Sequence, residues 1–376
     1  MIARNVTAGG EDATQVAADL VEKLRGDGLA LAVVFADWRI DPAVLAREVQ
    51  RRLGTVPAVG CTSTGVIPAR TDDVPAAVAI GLYGDWVRVG IGVAPELSHS
   101  AIARSRDAIG RAARALGTTP EALDPARHVA FTLVDGTSGH EEAFCIGSAA
   151  AAPQIRVVGG CAATEFNTSA RAFVWANGEA LADAGVAVVL QTDRRFEAIT
   201  SSHLVATDVR TVVTAATGRS ITELDGIPAA RRVRELVAEL GGVLDEPRPT
   251  NYTFARFVDG VPYVRSIMLI DGDRINLASA VESGHVLRVM RPGDLIGRTR
   301  ADLEAAAERV GGTIEALIAF SCMGRHLEAN TRGQAAELAE VYATYPTTGF
   351  ESGGEQTGML LVNHTLTALA FGGPRP

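Results

Sequence analysis

The chain has 376 residues, of which 47% are hydrophobic and 21% charged. That is the balance of a globular protein able to bury a sizeable core, and it excludes a disordered chain, a collagen or a disulfide-stapled miniprotein. At ~150 residues per domain the length sets an expectation of two or three domains. With 35 basic against 44 acidic residues the formal charge is -9, so nothing global draws the protein to nucleic acid or a membrane, and neither is expected as a partner.

Taken in chain order, the run Leu29-Ala30-Leu31-Ala32-Val33-Val34-Phe35 ends in Asp37 and reads as a buried strand. Asp41-Pro42 then opens a helix, with Asp as N-cap and Pro at the first helical position. Val44, Leu45 and Val49 supply its apolar face, and Gly54 closes it. A second strand, Val56-Pro57-Ala58-Val59, enters the turn Gly60-Cys61-Thr62-Ser63-Thr64-Gly65, and apolar runs follow around Val78-Ala79-Ile80 and Val87-Arg88-Val89-Gly90-Ile91.

The same order returns about a hundred residues later. Val129-Ala130-Phe131-Thr132-Leu133-Val134 ends in Asp135-Gly136, and a small-residue helix follows. Ile155-Arg156-Val157-Val158 then enters Gly159-Gly160-Cys161-Ala162-Ala163-Thr164, and Val186 to Leu190 and Phe196 to Ile199 complete the set. A glycine–cysteine turn is therefore expected to repeat after equivalent strands. A weaker third copy begins at Ala316-Leu317-Ile318-Ala319-Phe320, passes through Ser321-Cys322-Met323-Gly324-Arg325 and a helix over 335–341, and ends in a strand from Thr365 to Phe371. Phe131 to Gly160 and Phe320 to Gly349 share a separation of 29 positions.

A different region lies between the second and third copies. Asp225 and Pro228 flank a helix whose face is Val233, Leu236, Val237 and Leu240, and Pro247-Arg248-Pro249 reads as a loop. The stretch from Tyr263 to Ile270 reads as one strand, Asp271-Gly272-Asp273 as a hairpin turn, and Val286 to Met290 as another strand. The boundary between two units is placed near Thr217-Gly218-Arg219.

These residues resemble a known family. Val59-Gly60-Cys61-Thr62-Ser63-Thr64-Gly65 is similar to the N-terminal signature of the FIST family of sensory domains. Tyr263-Val264-Arg265-Ser266, Met290-Arg291-Pro292-Gly293-Asp294, Ser321-Cys322-Met323-Gly324-Arg325 and Gly349-Phe350 through Gly354-Glu355 to Asn363-His364-Thr365 resemble its C-terminal half. Gly353 departs from the family, which more often carries an aromatic residue in this stretch, so one pocket wall is expected to differ in shape. The resemblance implies a mixed α/β protein: a FIST N-like domain at 1–216, with repeats about 28–95 and 128–205, and an α+β FIST C-like domain at 217–376. It further implies an intracellular sensor of a small ligand, an amino acid or small carboxylate. No output-domain pattern is visible, so the signal would pass to a separate downstream protein.

The candidate ligand-binding residues follow from chemistry and from that resemblance. Turns rich in glycine after strands can aim N–H groups at an anion, and Thr62, Ser63, Thr64 and Thr164 add hydroxyls; tight turning alone would also account for the glycines. Arg325 suits a carboxylate and Glu355 an ammonium, so the pair would read both ends of a zwitterion, unless they form a structural ion pair. Asn363 and His364 precede the last strand, and Asp135 and Ser138 follow an earlier one, where Ser138 suits a helix N-cap equally well. Asp271 and Asp273 read as a solvated hairpin tip rather than a metal site.

Cys61, Cys145, Cys161 and Cys322 stand singly with no C-x-x-C spacing, and no metal, cofactor or catalytic residue is assigned. Cys61, Cys161 and Cys322 join the candidate site, where burial as packing is the plain alternative. An enzyme using one of them with His364 remains an alternative, although none of His99, His128, His140, His203, His285, His326 and His364 has a recognisable spacing from a cysteine. An adaptor with no ligand is the third reading. The N-terminus has no apolar signal core and the run at 29–36 is too short to span a bilayer, so a cytoplasmic location is expected.

Overall fold

The computed structural model describes residues 2–67, 75–165 and 169–375. The chain begins with β1 (Ala3–Ala8), α1 (Ala13–Leu24), β2 (Leu29–Asp37), α2 (Pro42–Leu53), β3 (Ala58–Ser63), β4 (Val66–Ile67) and β5 (Ala77–Tyr83). Asp41 caps α2 by accepting the N–H groups of Ala43 and Val44, Pro42 occupies its first turn, and Gly54 ends it at φ 66°. β2 and β3 pair in parallel, β5 runs antiparallel to β2, and β1 antiparallel to β5.

The second unit contains β6 (Val87–Ala94), α3 (Leu97–Ala115), β7 (His128–Asp135), α4 (Glu141–Ala151), β8 (Arg156–Ala162), β9 (Val174–Ala176), β10 (Glu179–Leu181) and β11 (Gly185–Thr192). Its four main strands lie in the order β6-β11-β7-β8. The apolar run at Val87–Ile91 therefore belongs to the second sheet, although its place in the chain suggested the first. β12 (Arg194–Ser201) likewise leaves the second unit for the third.

An excursion follows: β13 (Val205–Thr217), β14 (Ser220–Leu224), β15 (Ile227–Pro228), α5 (Ala229–Glu239), β16 (Thr253–Val258), β17 (Val261–Arg265), β18 (Ile267–Asp271), β19 (Arg274–Leu277) and β20 (Val286–Arg291). These strands form one antiparallel sheet, with α5 packed on its apolar face through Val233, Leu236 and Val237. The stretch read as a single strand from Tyr263 to Ile270 breaks at Ser266, where β17 leaves to pair with β16 and β18 with β19. Thr217 and Ser220 pair across a tight turn joining β13 to β14.

The third unit resumes with α6 (Leu295–Arg309), β21 (Ala316–Cys322), α7 (Met323–Thr331), α8 (Ala335–Ala343), β22 (Thr347–Ser352), β23 (Glu355–Thr357), β24 (Leu360–Val362) and β25 (Leu366–Pro374). Its order, β12-β25-β21-β22, matches β1-β5-β2-β3 and β6-β11-β7-β8. In each unit the parallel pair needs a helical crossover, supplied by α2, α4, or α7 with α8. Each unit also lends strands to another: β4 pairs with β22, β9 with β3, and β23 with β8.

Register explains the recurrent glycine. Gly60 lies opposite Val34, Gly159 opposite Thr132 and Gly349 opposite Ala319. A Cβ at these positions would lie 1.8 Å, 2.4 Å and 2.2 Å from the carbonyl oxygen of that partner, so only glycine lets the strands approach so closely. Gly60 thus corresponds to Gly159, not to Gly160. That one-residue offset puts neighbouring side chains on opposite faces: Cys61 enters the central core, whereas Cys161 faces the helix side. The two glycine–cysteine pairs are not equivalent.

The inner faces of the three sheets share one core. Phe35, Phe131 and Phe320, one from each sheet, meet there with Phe350, and the ring centroids of Phe35 and Phe350 are 4.7 Å apart. Each large side chain fully buried in this way contributes roughly 1.5–3 kcal/mol. The outer faces are covered by α1 and α2, by α3 and α4, and by α6 to α8.

Candidate ligand-binding cleft

The parallel strands of all three units bring their C-terminal ends to one place. The turns there are tied into a ring: the Ala163 N–H donates to the Thr62 carbonyl at 3.0 Å, Gly353 N–H to the Cys161 carbonyl at 3.0 Å, and Glu351 N–H to the Gly65 carbonyl at 2.8 Å. Thr62 N–H donates to Phe173, Cys161 N–H to Gly354, and Gly65 N–H to the Ser63 hydroxyl. Many of the N–H groups considered for an anion therefore already serve protein partners. Thr62 and Ser63 are buried, with their hydroxyls engaged by Phe173, Gly65 and Glu351 backbone.

Over this ring lies a cleft of three adjoining cavities, each bordered by Met323 at the start of α7. One, of about 400 Å³, is walled by Trp38, Arg39, Thr64, His326, Leu327 and Glu351. The second, about 490 Å³, is walled by Gly136, Thr137, Thr164, Glu165, Ser169, Arg171, Arg219 and Gly353. A third pocket of about 40 Å³ joins Cys322, Gly324, Gly353 and His364 to Arg248 of the excursion. A hollow of about 630 Å³ beside Gly10 and Pro75 lies on the flank of the first sheet, and its Arg39 is already held by both oxygens of Asp37.

Cations and anions both stand at the cleft. Arg219 donates to the buried Glu141, whereas Arg171 is exposed and has no ion-pair partner among the described residues. Glu351 accepts from Thr64 at 3.4 Å and lies 3.1 Å from His326 Nδ1. Burial lowers the pKa of His326, so the imidazole is held neutral.

Beneath the floor is a second, enclosed set of polar groups. Arg325, expected at a strand-end turn, sits in the first turns of α7 and is wholly buried. Its Nη2 donates to Thr299 at 2.7 Å, while Nε and Nη1 have no partner among the described residues. Glu355 is also wholly buried, accepting from Ser352 and from the N–H and hydroxyl of Thr365. Burial pushes its carboxyl up to about 8, against the opposing pull of those hydrogen bonds. Neither Arg325 nor Glu355 borders a cavity described above, and they form no ion pair with each other among the described residues.

His203 and His364 both direct Nε2 at Glu328 Oε2, at 2.8 and 2.7 Å. Burial brings His203 down to about 4, so it is neutral near pH 7. Burial works to raise Glu328, but the bonds from the two imidazoles outweigh it, and the group stays an anion. His364 is held at φ 57°, a backbone region that a residue with a side chain seldom occupies. Asn363 is buried and accepts the Ser279 hydroxyl at 2.6 Å, linking the excursion to the third unit.

Of the candidates from sequence, the structure brings Thr64, Thr164, Cys322 and His364 to the cleft. It places Cys61 and Cys161 in separate cores, and Thr62, Ser63, Arg325, Glu355 and Asn363 behind the wall. Burial raises the pKa of all four thiols, which opposes formation of a nucleophilic thiolate. Asp135 accepts from Thr137 and Asp183, and the Ser138 hydroxyl donates to the Asp135 carbonyl. Sequence reasoning missed Thr137, Glu165, Arg171, Arg219 and Met323 at the cleft, and Glu328 beneath it.

Comparison with known proteins places this architecture. The FIST N domain model matches residues 30–227 and the FIST C domain model residues 229–357. The chain belongs to the FIST family. FIST domains are sensory domains associated with small ligands. Among solved structures, a cyanuric acid hydrolase from A. caulinodans aligns over 99% of both chains at 13% identity and a TM-score of 0.36, a likeness too slight to carry an argument. No curated protein matches the chain. Among the described residues no helix is long and apolar enough to cross a membrane.

Proposed function

We propose that this FIST protein is a cytoplasmic sensor that binds an amino acid or small carboxylate in the strand-end cleft and passes the signal to a separate protein. The observation that carries this reading is Arg171 at the rim of the 490 Å³ cavity, without an ion-pair partner among the described residues. A guanidinium there suits a carboxylate in two hydrogen bonds. The hydroxyls of Thr164 and Ser169 and the carboxylate of Glu165 border the same space. The four buried, unpaired cysteines suit a reducing compartment.

The test is thermal unfolding against a panel of amino acids, small carboxylates and nucleotides. A ligand at 100 times its dissociation constant stabilises by roughly 2.7 kcal/mol, a shift of a few degrees. A selective, saturable shift is expected for a carboxylate ligand, weakened at least ~10-fold by Arg171→Ala. A flat panel would contradict the reading and favour an adaptor with no ligand.

A further inference from the structure

We propose that His203, Glu328 and His364 form a binding site for one zinc ion. Two imidazoles and one carboxylate are a donor set that zinc takes up with a fourth position left for water. The three come from distant parts of the chain: the loop after β12, the middle of α7 and the loop before β25. Yet their ligand atoms lie within 4.8 Å of one another and all three residues are buried. The two Nε2 atoms already converge on a single oxygen, Glu328 Oε2, at 2.8 and 2.7 Å.

Around a tetrahedral zinc, nitrogen and oxygen ligands stand about 3.3 Å apart, so opening the cluster by about half an ångström admits the ion. Each neutral imidazole, which now donates its Nε2–H to Glu328, would bind zinc by moving that proton to Nδ1 and presenting the Nε2 lone pair. The other oxygen of Glu328 lies 3.0 Å from Arg332 Nη1 as an ion pair without a hydrogen bond, and its charge would help hold a ligating carboxylate. This assignment does not rest on the ligand proposed for the cleft.

The experiment uses untagged full-length protein purified without chelator, assayed for metal by mass spectrometry, then stripped and titrated with cobalt(II). About one zinc per chain is expected, with a visible ligand-field band from cobalt that zinc abolishes. Glu328→Gln and His364→Gln, verified as folded by circular dichroism, should weaken cobalt binding at least ~100-fold, and Arg332→Ala ~10-fold. Should the ligand variants fail to fold, the wild-type metal content and the Arg332→Ala titration still decide. A metal-free wild type with no cobalt band overturns the assignment, as does unchanged binding in the folded variants.

Discussion

The two faces of α7 lie in opposite environments. Upward, Met323 and Leu327 border an open cleft whose charged groups touch water; downward, Arg325 and Glu328 are wholly enclosed. On the open side a lost ion pair is replaced by solvent. On the closed side a lost partner leaves a polar group with nothing to bind, and that difference sets the size of every expected effect.

The largest effect is expected at Glu328. Glu328→Ala removes the acceptor shared by His203 and His364, leaving two buried N–H donors without a partner, and should lower stability by ~2–5 kcal/mol in denaturant unfolding. A loss below ~1 kcal/mol would mean that the cluster is not the anchor described. Glu355 comes next. Its folded pKa of about 8 lies above the ordinary 4.5, so its contribution is full below pH 4.5 and is lost as pH rises through 8. Glu355→Gln keeps hydrogen-bonding capacity without the charge and should be more stable than wild type at pH 8, by up to a few kcal/mol, but not at pH 4.5. Equal stability curves for the two proteins across that range would exclude a buried, protonated carboxyl.

His203 has the opposite sign. Its pKa falls from 6.5 to about 4, so the unfolded chain binds the proton first. In the metal-stripped protein stability is full above pH 6.5 and declines by about 3 kcal/mol as pH falls to 4. Because the Glu355 and His203 slopes overlap and oppose each other, and His326 declines in the same direction as His203, the His203 share is read as the difference between Glu355→Gln and Glu355→Gln/His203→Gln. The smallest effect belongs to the open side: Arg39→Ala removes an exposed guanidinium from the largely buried Asp37 and should change stability by ~1 kcal/mol.

Local signals in the sequence located most elements near the cleft. The Asp41-Pro42 start and Gly54 stop of α2, and the apolar runs of β2, β7 and β21, are each set by neighbours a few positions away. Pairing was less legible because it depends on distant partners. The equal separation of 29 positions did not reflect register: Phe131 pairs with Val158 and Phe320 with Phe350, offsets of 27 and 30. Nor could chain order reveal that β6 and β12 join the sheet that follows them.

The site divides in the same way. Strand-end turns were recognisable from glycine and hydroxyl content, and Thr64, Thr164, Cys322 and His364 do reach the cleft. Arg171 and Arg219 lie outside those turns and were unmarked among many arginines. Glu328 was hidden because a carboxylate in a helix ordinarily signals a solvated face. Here Arg325 and Glu328, three positions apart, instead turn one face of α7 inward.

The strand-end cleft is the proposed ligand site. Ala278 borders both the 490 Å³ cavity and the small pocket beside Cys322, so Ala278→Trp would plug it from the excursion side. The most direct test runs the thermal-shift panel on wild type and Ala278→Trp side by side, after both are shown to unfold cooperatively. A saturable carboxylate-dependent shift in wild type that disappears in the plugged variant is the expected result. The same shift in both proteins, or in neither, would contradict the claim.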